Sequence, residues 1–228
     1  PVDFVSSNLP IIAINTGTQT IINGTKITAD MGIIYNGQGV RNYVTDPKNH
    51  YNGKIGIEIR GQSSLNFAQK QYNVETRDIV GNNLNVSLFG MSKENDWVLY
   101  APYNDKTLMR NVITYQLARD MGRWAARTRF CEVTINGEYK GVYVFMEKIK
   151  RDSARVDVKK INNLDNAGDS LTGGYIISID KDTPTWYSVV TPNNVLPTKK
   201  IGFTIQYPDL LDVTVPQKNY IKSYVDSF

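Results

Sequence analysis

Between Arg60 and Tyr72 the chain reads RGQSSLNFAQKQY, a glycine and two serines ahead of Lys70. Main-chain N–H groups and the hydroxyls of Ser63 and Ser64 could surround a phosphate in such a loop, and a lysine brings the opposite charge. Neither GxGxxG nor GxxxxGK[ST] is present. Spacing alone therefore leaves two readings of Lys70 open: a phosphate contact, or a solvated lysine on a strand. Three more residues invite a chemical question. Asp105 and Arg110 share the stretch NDKTLMRN, and Glu147 closes the apolar row VYVFME. A carboxylate in that position either reaches solvent at the strand end or is held for a purpose.

Scarcity narrows the chemistry. The chain has one histidine and one cysteine among 228 residues. A Cys/His zinc centre needs about four such ligands, so one chain cannot build it. A Ser-His-Asp or Cys-His arrangement would have to use His50, which sits in the polar stretch DPKNHYNG and reads as an exposed loop residue. Cys131 has no partner for an internal disulfide, and its strand parity puts it in the core. What remains is carboxylate, lysine, arginine and hydroxyl chemistry, with Mg²⁺ as the candidate metal. The net charge of +4 gathers in RDMGRWAARTR (Arg119, Arg123, Arg127, Arg129) and EKIKRD. No helix-turn-helix, RRM or zinc-finger pattern accompanies these residues, so they read as solvated charge, without a nucleic-acid partner. No apolar run approaches the roughly 18 residues of a membrane span. No signal-peptide pattern opens the chain, and a start at Pro1 fits a trimmed or mature segment.

The elements that must position these residues are mostly strands. LPIIAINT, QTIIN and ITADMGIIYN read as short strands between Gly/Asn/Thr turns, and residues 36–53 as a polar loop. KIGIEIRG and KQYNVETRD alternate around the serine loop, with Ile55, Ile57, Ile59, Tyr72 and Val74 inward. A helix is expected from Asp105 to Met121, capped by Asn104 or Asp105 and ended by Gly122. Its apolar stripe is Leu108, Met109, Val112, Ile113, Leu117 and Met121. TRFCEVTI, NGEYKG and VYVFMEKI make a hairpin. Cys131, Val133 and Ile135 are expected to face Val142, Val144 and Met146, with Tyr143, Phe145 and Glu147 on the other side. GGYIISID and IGFTIQYP read as later strands, and a last helix begins after Pro216. The expected class is α+β, an antiparallel β-sheet with one packed helix.

The order of a lysine-bearing strand, a helix, a strand and a strand ending in VFMEKI matches the smaller lobe of a protein kinase. There the last strand runs into the hinge beneath the adenine. More specifically, RGQSSLNFAQKQY, LFGMSKENDWVLYAPYNDKTLMRN and RTRFCEVTINGEYKGVYVFMEKIKRD, followed by TGGYIISIDKD, together resemble the CotH family of spore-coat-protein-H-like atypical kinases. The likeness runs over residues 55–182, with its blocks in the family's order. Residues 1–50 resemble the β-rich lead-in of secreted bacterial members, packed on a kinase-like domain over 51–228.

The resemblance implies a kinase-like fold, the small lobe plus the start of the second, that binds ATP with Mg²⁺ and phosphorylates Ser or Thr on proteins. It implies a secreted or cell-surface location. Position by position, Ser63 and Ser64 stand in the family's RG.SS loop and Lys70 at its phosphate-contacting lysine. Asp105 and Arg110 stand in its Dk..lRN block. Glu147 stands at its GvY...E glutamate, as a hinge or ribose contact. Gln69 departs from the pattern, since many members carry a second cation there. A larger departure concerns the family's catalytic and metal-holding aspartates, which belong to N.D and WDfD elements. No WDfD element occurs here and no N.D element is assigned, so no catalytic or metal residue is assigned, and this stretch, read as truncated on its C-terminal side, is expected to be inactive by itself. The alternative reading is a non-catalytic surface module with coat-protein or carbohydrate partners, using Trp124, Trp186 and Tyr187 for sugar stacking.

Overall fold

The protein was analysed as a computed structural model that describes residues 3–180, 183–189 and 200–228. The chain divides into two compact units, Pro1–Lys148 and Ile149–Phe228.

In the first unit, β1 (Ser6–Ser7) pairs with β4 (Asn42–Tyr43) as a small separate ribbon. The remaining strands are β2 (Ile11–Asn15), β3 (Ile27–Ile34), β5 (Tyr51–Arg60), β6 (Gln71–Arg77), β7 (Asp96–Tyr100), β8 (Thr128–Ile135) and β9 (Glu138–Glu147). They close into a seven-stranded barrel in the order β2-β3-β5-β6-β7-β9-β8. The expected α+β class holds, with sheet dominant. The expected antiparallel sheet is a closed barrel, and one pairing departs from it: β2 and β8 pair in parallel and shut the barrel. That closure recruits β2 and β3 from the N-terminal fifty residues as staves, and it leaves the main sheet no unpaired edge. QTIIN contributes only a bridge, from Asn23 to Ile59.

Alternation puts Ile55 and Ile57, Tyr72 and Val74 inside as expected, joined by Trp97, Leu99, Cys131 and Val133. The parity of β9 is the reverse of the expected one. Cys131 stands directly opposite Tyr143 and Phe130 opposite Val144, so Tyr143 and Phe145 enter the barrel. Val144 and Met146 face outward and form a second cluster with Val98 and Ala126. Both faces of β9 are apolar, so sequence periodicity cannot choose between them; the cross-strand register does. Burying Trp97, Tyr143 and Phe145 contributes about 1.5–3 kcal/mol for each side chain.

Helix α1 (Arg110–Asp120) docks on the outer cluster through Val112 and Tyr115. It starts five residues later than expected, because Asp105 is used in a tight turn and Leu108 adopts φ +61°. Most of the expected stripe is on its solvent side, where Met109, Ile113, Leu117 and Met121 are exposed.

The second unit holds α2 (Gly168–Leu171), β10 (Ile176–Ser178), β11 (Trp186–Tyr187), β12 (Gly202–Tyr207) and α3 (Val215–Asp226). β12 lies between β10 and β11. The Thr214 hydroxyl accepts the Gln217 N–H and the Gln217 side chain accepts the Thr214 N–H, a capping box with Pro216 in the first turn. Trp186, Phe203, Ile205, Val213 and Ile221 form its core. Among the described residues no helix is long and apolar enough to cross a membrane.

Candidate functional site

Four of the six residues singled out from the sequence lie in two loops at one end of the barrel, and a fifth, Arg110, opens the helix that follows the second loop. The first joins β5 to β6, and its Ser63–Asn66 segment is a turn of 3₁₀ helix. Gly61 opens it at φ +113°, with the Ser64 hydroxyl so close that any side chain at position 61 would collide with it. Ser63 is exposed, while Ser64 and Lys70 are half-buried. The second loop follows β7 and leads into α1. The register brings the two together, since Tyr72, just after the first loop, pairs with Leu99 near the end of β7. Phe67 then stacks on Tyr103, ring centroids 5.2 Å apart, and Lys106 lies over the same Tyr103 ring at 5.4 Å.

Lys70 does not simply extend into water. Its Nζ donates to the carbonyls of Leu65 and Phe67, both at 2.7 Å, and so satisfies the last carbonyls of the 3₁₀ turn. An ammonium has three N–H donors, so one is left for a further acceptor. Gln69, next to it, donates from Nε2 to the carbonyls of Val142 (3.0 Å) and Lys140 (3.3 Å) across Gly141. Gly141 has φ +103°, and a Cβ there would come within 3.1 Å of that amide. The loop is thus fixed at three points: to itself by Lys70, to β9 by Gln69 and to the second loop by Phe67.

Asp105 is buried, and both of its oxygens accept hydrogen bonds. Oδ1 accepts from the Thr107 N–H (3.0 Å) and hydroxyl (2.7 Å), and Oδ2 from the Arg110 N–H (2.9 Å). These bonds, the Thr107 hydroxyl first, hold its carboxyl below the usual carboxylate range. The helix N-cap is Met109, without a side-chain cap, rather than the expected Asn104 or Asp105; Asp105 instead takes the first helical N–H from the preceding turn. Arg110 Nε lies 3.5 Å from Asp105 Oδ1, and the rest of that side chain is exposed. Burial raises the nearby phenols of Tyr100 and Tyr115, with the charge of Asp105 adding to the first and that of Arg60 opposing the second.

Glu147 lies elsewhere. It pairs with Trp97, whereas Tyr100 at the loop end pairs with Val144. Three residues of strand separate the two positions by about 10 Å. The Glu147 carboxylate is wholly buried, taking the Arg127 N–H at 2.8 Å and Nε at 3.1 Å on Oε2, and Nη2 at 2.6 Å on Oε1. Arg127 Nη2 also donates to Ser92 Oγ at 2.7 Å.

This donor set fits a phosphate in part: serine hydroxyls, loop amides, one Lys70 N–H and the Arg110 guanidinium lie on two neighbouring loops and the start of the helix that follows. It does not fit a metal ion. Both oxygens of Asp105 already accept hydrogen bonds within its own turn, and among the described residues no group of three or more His, Cys, Asp or Glu side chains is placed to hold one.

Sequence reading missed the Gln69 anchor, the Phe67–Tyr103 stack and the Arg127 partner of Glu147. Gly141 inside a strand was the available signal for the first, because a strand glycine marks close approach by another group. It also missed His50, which is half-buried, stacks on Phe89 at 4.6 Å and accepts the Phe89 N–H at 2.8 Å. Of the aromatics considered for sugar stacking, Trp186 is buried against Phe203, while Trp124 and Tyr187 are exposed.

A family model described as CotH kinase protein matches residues 57–226. No curated protein matches the chain.

Proposed function

The chain belongs to the CotH kinase protein family, and from that premise we propose that it is the nucleotide-side portion of a secreted, kinase-like protein that phosphorylates Ser or Thr on a protein substrate. The observation that carries the reading is the anchored loop of Ser63, Ser64 and Lys70, stacked through Phe67 on the loop that leads to Arg110. The finer likeness to a kinase small lobe rests on the family and on the order of strands and helix, with the barrel as this chain's way of closing the sheet.

In this reading ATP places its phosphates against the loop amides, the serine hydroxyls, the third Lys70 N–H and Arg110. Lys70 acts twice, holding the loop in shape and offering charge to the ligand. Asp105 serves by fixing the Arg110 main chain, and Glu147 by fixing the end of β9 through Arg127. Mg²⁺ would neutralise phosphate charge when bound, but its carboxylate ligands are not in these two loops. The WDfD pattern does not occur in these 228 residues. We therefore expect weak nucleotide contact and no phosphoryl transfer from this stretch by itself.

The test is a calorimetric titration of Mg-ATP into the chain and into Lys70→Ala. Weak binding that the substitution removes supports the proposal; equal affinity in both, or no binding to the unsubstituted chain, rejects it. The exposure of Trp124 and Tyr187 favours one rival, a non-catalytic carbohydrate-binding surface module. A glycan screen that registers binding by the chain and none by Trp124→Ala or Tyr187→Ala would support that rival.

A further inference from the structure

Helix α1 carries an apolar stripe that the fold leaves in solvent. Val112 and Tyr115 face the barrel, whereas Met109, Ile113, Leu117 and Met121 are 48%, 56%, 57% and 71% exposed. Spaced by four residues at about 100° per residue, these side chains form one continuous strip along the helix. No residue of α1 is fully buried.

The strip has an internal symmetry. Ile113 and Leu117 lie two residues either side of Tyr115, and Met109 and Met121 lie six either side. Arg110 and Asp120 lie five either side and flank the strip, both exposed. Tyr115 packs against the outer wall of the barrel, so the centre of the strip is the point of the helix opposite it. Turned end for end about that point, the surface presents leucine where it had isoleucine, methionine where it had methionine, and the opposite charge at each flank.

We propose that this face is a self-association surface, on which α1 of a second copy packs antiparallel across a two-fold axis. Ile113 would then meet Leu117 of the partner subunit, and Arg110 would meet Asp120 of the partner subunit, each contact occurring twice as an isologous interface requires. Parallel packing would set Arg110 against its own copy and Asp120 against its own, so charge selects the antiparallel arrangement. The same mixed charge argues for a second copy over an anionic membrane, which would repel Asp120. The present partners of both residues are weak anchors: Arg110 Nε is 3.5 Å from Asp105, and Asp120 takes only an exposed Gln116 amide at 2.7 Å. Two helices of this length bury less than the roughly 1,200 Å² of a standard interface, so the dimer is weak and transient. The apolar strip carries this proposal without the nucleotide reading, and the two share only Arg110.

The experiment is sedimentation velocity on the whole 228-residue chain, from micromolar to near-millimolar protein, with circular dichroism to verify folding. The unsubstituted chain is expected to dimerise and Ile113→Asp to remain monomeric. Arg110→Asp and Asp120→Arg should each weaken association about tenfold, because each introduces two like-charge pairs. The double exchange should return the Kd to within about threefold of the original. A chain that stays monomeric throughout overturns the proposal, whether or not it floats with anionic vesicles. So does a dimer that ignores all three single substitutions, or one that the double exchange does not restore.

Discussion

Arg127 clasps Glu147 with its main-chain N–H and two guanidinium nitrogens, and the carboxylate it holds has no contact with solvent. The pair links the turn before β8 to the last residue of β9 and closes that end of the barrel wall. A buried carboxylate stripped of its cation retains its desolvation cost without the compensating attraction.

Arg127→Ala is therefore expected to destabilise the protein by about 3 kcal/mol, and Glu147→Gln by less, since the amide oxygen can still accept one N–H. Thermal denaturation followed by circular dichroism measures both. A melting temperature unchanged in Arg127→Ala would refute the structural role of the pair.

The Gln69 amide and Gly141 are predicted to be energetically coupled. Gly141→Ala forces a side chain into φ +103° and against the amide, at a cost of about 1–3 kcal/mol. Gln69→Ala leaves the Lys140 and Val142 carbonyls without that donor, at about 1 kcal/mol. In the double variant the crowding is relieved, so chemical denaturation should give less than the sum of the two losses.

His50 should make stability depend on pH in mildly acidic solution. Burial, with the charge of Arg129 adding, holds its imidazole below the ordinary value of 6.5. The unfolded chain then binds a proton that the folded chain does not, so the contribution is complete above about pH 6.5 and is lost as pH falls toward the lowered value. Protonation would also remove the acceptor for the Phe89 N–H. Denaturation midpoints between pH 7.5 and 5 should fall for the unsubstituted chain and stay flatter for His50→Gln.

Cys131 should be unreactive in the folded protein. Its thiol is fully buried inside the barrel, donates to the Tyr143 carbonyl at 3.7 Å, and is pushed well above its usual range by desolvation. Labelling by a thiol reagent should proceed no faster than the barrel opens, and added urea should accelerate it. Prompt stoichiometric labelling in native buffer would contradict the barrel interior drawn here.

Much of the architecture is legible in the residues themselves. Alternation in KIGIEIRG, QYNVETR and TRFCEV marks strands that are observed, and Thr214, Pro216 and Gln217 announce the start of α3. These signals are local, set by side-chain period and by capping within a few residues. Lys70, Asp105 and Arg110 were legible as a group because their blocks occur together in one order.

What the sequence could not determine was which side of an element faces what, and which distant group each polar side chain would meet. Both faces of β9 are apolar, so only its register with β8 sends Tyr143 inward and Val144 outward. The stripe on α1 was visible as a stripe, but its orientation depends on how Val112 and Tyr115 fit the barrel. Glu147 and Arg127 are twenty residues apart, and Gln69 and Val142 seventy-three. Such pairs follow from barrel closure, the parallel pairing of β2 with β8 above all, because a non-local contact exists only once the chain between its ends has been folded into place.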